Sequence, residues 1–236
     1  MDHEDFAGNK GTIEAGDLQF MTAGRGIMHA EMPRQDGNTN IGMQLWVDLP
    51  QKLKSCEPRY RDLKAKEIPS IDIDDGKVNV KIISGQSHGV DSVKELAYTP
   101  VWIFDIEIKP GGKINQQLPE GWNAFAYTLG GSTAFGVGKE QTTVGKYHNV
   151  VFEQKGDEIF AQVGEEAKEN GRFCESIPFC LEPHQFSLSL QPHLYPATEI
   201  SPKRIQDMLQ VKHSKKSSPI GYPQKVKRIF EMLHQP

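Results

Sequence analysis

Cysteine is scarce in this chain. Only three occur in 236 residues, Cys56, Cys174 and Cys180. An odd number cannot all pair, so a disulfide framework is not expected and a reducing compartment is. Long apolar runs are missing too. Nothing approaches the ~18–20 residues that span a bilayer, and the opening MDHEDFAGNKG has no apolar core of a signal peptide. An excess of positive charge is likewise absent: Lys+Arg number 27 against Asp+Glu 31, a formal charge of -4. That balance is not the footprint of a protein that grips nucleic acid through its phosphates. A soluble protein of the cytoplasm or nucleus is therefore expected, with no membrane and no direct nucleic-acid partner. With 37% hydrophobic and 25% charged residues, the chain is long enough to bury a sizeable core.

The composition is not uniform. Residues 1–173 carry 19 basic and 26 acidic side chains and 21 of the 22 glycines. Residues 174–236 carry 8 basic and 5 acidic side chains, one glycine (Gly221) and 8 of the 15 prolines. Two kinds of polypeptide meet near Phe173, one acidic and Gly-rich, the other basic and Pro-rich.

The first part reads as many short strands. Turn signals such as Asn9-Lys10-Gly11, Ala15-Gly16-Asp17, Asp75-Gly76, Pro110-Gly111-Gly112 and Gly130-Gly131 recur every eight to twelve residues or so. Between them lie alternating runs. Val78, Val80 and Ile82 alternate with Asn79 and Lys81, while Trp102, Phe104, Ile106 and Ile108 alternate with Asp105, Glu107 and Lys109. Met43, Leu45, Val47 and Leu49 alternate with Gln44, Trp46 and Asp48. Period-two alternation between Gly-rich turns predicts an all-β sandwich or barrel. Glu57–Glu67 (EPRYRDLKAKE) reads as a polar connector with a helical turn.

One segment carries possible chemistry. Gly16–Glu31 (GDLQFMTAGRGIMHAE) reads as turn, strand, turn, strand. Residues two apart on a strand face the same side, so His29 and Glu31 project together. An imidazole beside a carboxylate can supply two mixed N/O ligands to a divalent first-row metal such as iron. A His-x-Glu pair is also an ordinary strand feature, and the glycines of the segment suit tight corners whatever the protein does. No His-x-His occurs in the chain.

The stretch HEDFAGNKGTIEAGDLQFMTAGRGIMHAEMP (residues 3–33) closely resembles the pirin family, whose hallmark is the GDLQ-aromatic-MTAGRGI-x-H-x-E run. The likeness continues through Gln44-Leu45-Trp46-Val47, Glu57-Pro58, Ile83-Ser84-Gly85 and Gly121–Thr128 (GWNAFAYT), and fades after about Phe173. The resemblance implies a bicupin, two jelly-roll barrels in tandem. One non-haem iron would sit in the first barrel, held by three histidines and a glutamate. His29 and Glu31 match the third and fourth of those ligands. The other two belong to an HPHRGFE-like stretch that this sequence does not contain, and His3 is not at a ligand position of the family. The expected reading is thus a pirin whose first barrel is incomplete: a fragment, an alternative start at an internal Met, or an incomplete gene model. The expected divisions are residues 1–55 (part of the metal barrel), 56–75 (linker), 76–173 (a second, metal-free barrel) and 174–236 (a divergent tail).

In the second barrel, Gln117-Leu118-Pro119-Glu120-Gly121-Trp122 stands where a metal-bearing cupin places His-x-His, so no second metal is expected. His148 reads as exposed or hydrogen-bonded. Trp102, Trp122, Phe125 and Tyr127 read as core. In the tail, helices are expected near 202–212, where Ser201-Pro202 suits a helix start, and near 223–234, with Val226, Ile229, Phe230 and Leu233 on one face. Cys174 and Cys180 lack zinc partners at standard spacing.

The resemblance implies two functions of different class. One is an iron-dependent nuclear coregulator that contacts transcription factors of the nuclear factor kappa B type. The other is a quercetin 2,3-dioxygenase, in which iron binds a flavonol and dioxygen and Glu31 doubles as the base.

Overall fold

The computed structural model describes residues 1–34, 36–37, 41–47, 49–94, 100–154 and 156–178, with backbone alone for 175–178. Seventeen strands form in this part of the chain. They are β1 (Asp2–Asp5), β2 (Lys10–Thr12), β3 (Leu18–Thr22), β4 (His29–Met32), β5 (Arg59–Leu63), β6 (Ser70–Ile73), β7 (Val78–Ser84), β8 (Gln86–Ser87) and β9 (Val90–Asp91). The remainder are β10 (Val101–Ile108), β11 (Lys113–Gln117), β12 (Phe125–Gly130), β13 (Ser132–Phe135), β14 (Thr142–Gly145), β15 (Asn149–Val151), β16 (Glu158–Gln162) and β17 (Gly171–Pro178). Helix is confined to single 3-10 turns among the described residues, so the fold is all-β as expected.

The C-terminal strands make two layers. A six-stranded sheet in the order β15-β12-β17-β10-β7-β6 faces a four-stranded sheet in the order β11-β16-β13-β14. The expected alternation is what closes the space between them. Val78, Val80 and Ile82 of β7, with Phe104, Ile106 and Ile108 of β10, are buried from one layer; Ile114, Phe135, Ile159 and Ala161 meet them from the other. Phe135 and Phe173 stack edge to face, with ring centroids 5.1 Å apart. Trp102 packs on Trp122 at the margin of this core, with centroids at 5.9 Å. Apolar side chains make up most of this interior, and Ser87, Gln116, Thr128 and Thr133 are buried with them. His148 is exposed, with Nδ1 2.9 Å from the carbonyl oxygen of Lys146.

The N-terminal strands are thinner. A three-stranded sheet in the order β2-β1-β4 and a two-stranded ribbon β3-β5 make up this half. Its ribbon is pinned at one end by Asp17. The carboxylate accepts from Lys64 Nζ (2.8 Å) and from the backbone N–H groups of Ala65 (2.9 Å) and Glu14 (3.0 Å). The Lys64 ammonium holds the Asp17 pKa below the usual carboxylate value.

Three expectations change. Residues 41–47 carry no strand despite their alternation, and Trp46 is 61% exposed, its indole donating to Gln44 Oε1 at 2.9 Å. Alternation makes a segment able to pair but does not supply a partner, and among the described strands none pairs with it. The connector Glu57–Glu67 contains β5, whose pairing with β3 buries Leu63, followed by the expected helical turn at Ala65–Glu67. Finally, β17 runs across the compositional seam at Phe173, pairing with β10 as far as Pro178. The two tail helices, Cys180 and the basic stretch lie outside the described residues. Among described residues no helix is long and apolar enough to cross a membrane.

Two measurements check this fold. Phe104→Ala, which empties a fully buried ring site, is expected to cost about 3–5 kcal/mol, read from the urea midpoint. Asp17→Asn should destabilise at neutral pH. Because folding depresses the Asp17 pKa, its contribution is present above the unfolded value and disappears as the pH falls through the folded one. The wild-type and variant stabilities should therefore converge in acid.

Candidate metal centre

Local chemistry explains how His29 and Glu31 arrive together. After β3 the chain turns at Ala23–Gly26 and returns as β4. Gly24 has φ +52, and a Cβ there would collide with the backbone carbonyl of Cys56. The same carbonyl accepts from Arg25 N–H at 2.9 Å, and Arg25 pairs with Glu57 at 2.9 Å. The glycine thus lets the turn lie flat on the segment leading into β5. On β4, His29 Nε2 lies 3.9 Å from Glu31 Oε1, with side chains 24% and 25% exposed. His29 Nδ1 is 3.2 Å from the Met21 sulfur on β3, which leaves Nε2 turned to the carboxylate.

The antiparallel register adds two neighbours. His3 on β1 stands directly opposite Glu31, and Asp5 opposite His29. Directly opposed residues share a face, so four groups with ligand chemistry line one side of the β1–β4 ladder. Two of them are committed elsewhere. The His3 ring leans the other way, toward β2, where a Cβ on Gly11 would meet Nε2 at 2.8 Å. There Nε2 lies 3.0 Å from Asp62 Oδ2, and the Tyr60 hydroxyl lies 2.9 Å from Nδ1 and 2.8 Å from Nε2. Tyr60 also donates to Asp62 Oδ2 at 2.9 Å. Burial and the Asp62 carboxylate push the Tyr60 pKa far above that of a free phenol. Asp5 instead accepts from the N–H and the side-chain amide of Asn9, at 3.0 and 2.7 Å, and these bonds lower its pKa.

The family's iron can be tested against this arrangement. His29 and Glu31 are of the right type and face one another. Among the described residues, however, no group of three or more His, Cys, Asp or Glu side chains converges. Metal sites for first-row ions in proteins take at least three protein donors, so the two found among the described residues do not fit the ion. Spacing put His29 and Glu31 on one face, and the family resemblance implied their ligand role. It did not reveal His3, Tyr60 and Asp62, which meet across 57–59 residues of sequence. The period-two pairs His3-x-Asp5 and Tyr60-x-Asp62 were the only local signal. Among the described residues, neither Cys56 nor Cys174 forms a disulfide.

Tyr60→Phe tests the tether. Losing the hydroxyl that joins His3 to Asp62 should cost about 1–3 kcal/mol in chemical unfolding, because the buried partners are left short of a bond.

Known proteins share these features. Residues 1–47 match the Pirin family model, and residues 103–169 match that of the Pirin C-terminal cupin domain. A pirin-like protein of Solanum lycopersicum is 46% identical over 149 residues, covering 63% of this chain and 50% of that protein. The chain spans about half the length of the curated relatives it matches. Among solved structures, GK1651 from Geobacillus kaustophilus is 30% identical with a TM-score of 0.65, over 77% of this chain and 71% of that one. Quercetin 2,3-dioxygenase from Acinetobacter baumannii shares the fold at 23% identity and a TM-score of 0.62, over 75% of this chain and 60% of that one. The tandem strands, the His29-x-Glu31 strand and the two matched models agree: the chain belongs to the pirin family of cupin proteins.

Proposed function

We propose that this chain acts as a pirin-type regulator, working through protein contacts with a transcription factor of the nuclear factor kappa B type in nucleus and cytoplasm. The observation that carries this reading is the two-donor centre. An oxygenase needs a firmly held metal with positions left open for its substrates, whereas a contact surface needs only a folded scaffold.

Glu31 favours a second reading. Its carboxylate is partly exposed and stands beside an imidazole, a placement suited to taking the hydroxyl proton of a flavonol. The corresponding activity would be that of a quercetin 2,3-dioxygenase, whose Acinetobacter structure has this fold.

One pair of assays separates the two. The purified chain is incubated in air with ferrous iron and quercetin, and in parallel titrated against a DNA-bound Rel-homology domain. Saturable binding, with quercetin loss no faster than with iron alone, is the expected result. Turnover that His29→Ala abolishes, without binding, would establish the enzyme instead.

A further inference from the structure

A short hairpin of the second barrel takes no part in either functional reading. After β7 the chain continues as β8–β9, whose ladder holds only two pairs, Gln86 with Asp91 and Ser87 with Val90. The hairpin is two-faced. Gln86 and Asp91 bond to each other on the outside at 2.7 Å, while Ser87 is buried and Val90 packs on the barrel core. His88 and Gly89 make the turn, with φ +47 and +80, two successive left-handed residues of the kind a two-residue hairpin requires.

One hydrogen bond joins this hairpin to the far side of the barrel. Ser87 Oγ donates to Gln116 Oε1 at 2.7 Å, and both residues are 1% exposed. β7 belongs to the six-stranded layer, and β11, which carries Gln116, is the outermost strand of the four-stranded one. The hairpin therefore bridges the two layers and closes the end of the space between them. The direction of the bond is fixed by its neighbours. Gln116 Nε2 donates to the Gln117 carbonyl at 2.8 Å, so the amide turns its oxygen to Ser87. The single hydroxyl hydrogen is then spent on Gln116, and the 2.9 Å contact of Ser87 Oγ with His88 Nδ1 takes its hydrogen from the ring.

The base of the hairpin has the features of a hinge. Gly85 has φ +99, and a Cβ there would collide with the Trp102 indole. The glycine thus lies flat on the ring that packs against Trp122. Gly85 and Ser92 bond to each other across the base. The Ser92 N–H reaches the Gly85 carbonyl at 2.9 Å, and the Gly85 N–H reaches Ser92 Oγ at 3.0 Å. Swinging the hairpin about these two residues leaves the barrel strands paired. It breaks the Ser87–Gln116 bond, but both groups then meet water. The net cost is that of one exchanged hydrogen bond and the apolar contact of Val90, far less than unfolding the barrel.

We propose that β8–β9 is a flap that opens about Gly85 and Ser92 while the barrel stays folded, and that the Ser87–Gln116 hydrogen bond is its latch. Opening uncovers the Trp102 indole and the Gln116 amide at the end of the barrel. A buried glutamine is otherwise a costly choice beside an apolar core, and holding the latch accounts for it. The inference concerns the second barrel alone and does not rest on the regulator reading.

Hydrogen exchange of the full chain at low denaturant, followed by mass spectrometry, tests it. Amides of residues 85–92 should exchange well before those of β7 and β10. Ser87→Ala leaves the Gln116 oxygen without its donor, and should speed exchange of 85–92 by about fivefold to tenfold while β10 stays unchanged. Adding Gln116→Leu removes the stranded amide and should slow that exchange back toward the wild-type rate. A Trp46→Phe background gives a second readout, because Trp102 and Trp122 are then the only indoles. In that background Ser87→Ala should raise acrylamide quenching of the tryptophan fluorescence. Exchange of 85–92 in step with β10, in the wild type or in Ser87→Ala, would overturn the proposal. So would a double variant as fast as the single one, or faster exchange with quenching unchanged.

Discussion

The contact on which the N-terminal half depends is the one among His3, Tyr60 and Asp62. A buried imidazole must find hydrogen-bond partners or lose free energy. It finds them on β5, nearly sixty residues away, and this fastens the three-stranded sheet to the two-stranded ribbon. The arrangement leaves no room for a side chain at Gly11. It also leaves Asp62 Oδ1 buried with no hydrogen-bond partner among the described residues. A cluster with one oxygen unpaired still holds the sheets together, because breaking it would strand three polar groups rather than one.

The same contact sets which donors remain at the candidate site. Register alone would put His3 beside Glu31 and offer a third donor. Hydrogen bonding turns the ring toward β2, and Asn9 occupies Asp5 in the same way. What remains is an imidazole and a carboxylate 3.9 Å apart on an edge strand. The second half of the chain plays a different part. Its core is built mainly from aliphatic and aromatic side chains, with Ser87, Gln116, Thr128 and Thr133 buried beside them.

Sequence periodicity disclosed the parts of the fold where burial follows local pattern. The alternations in Val78–Ile82 and Trp102–Ile108 became β7 and β10 because both strands have a filled layer on one side. The same pattern at Met43–Leu49 carried no information about a partner, and residues 41–47 stay without one. Arg59–Leu63 hid its strand behind charge: Arg61 faces solvent, while Tyr60 and Asp62 spend their polarity inside. His29 and Glu31 were legible because their relation is local, two residues on one strand. His3 was legible only as a residue that the family does not use as a ligand. Its actual role depends on a contact between distant segments, which no window of sequence contains.

The central claim is that His29, and not His3, is the imidazole available to a metal. Histidine-ring nitrogen–proton correlation spectra, recorded while zinc(II) is added to the full chain, test it most directly. The account predicts that the His29 ring signals shift and those of His3 stay where they are, still coupled to Asp62 and Tyr60. Movement of the His3 signals in step with those of His29 would contradict it.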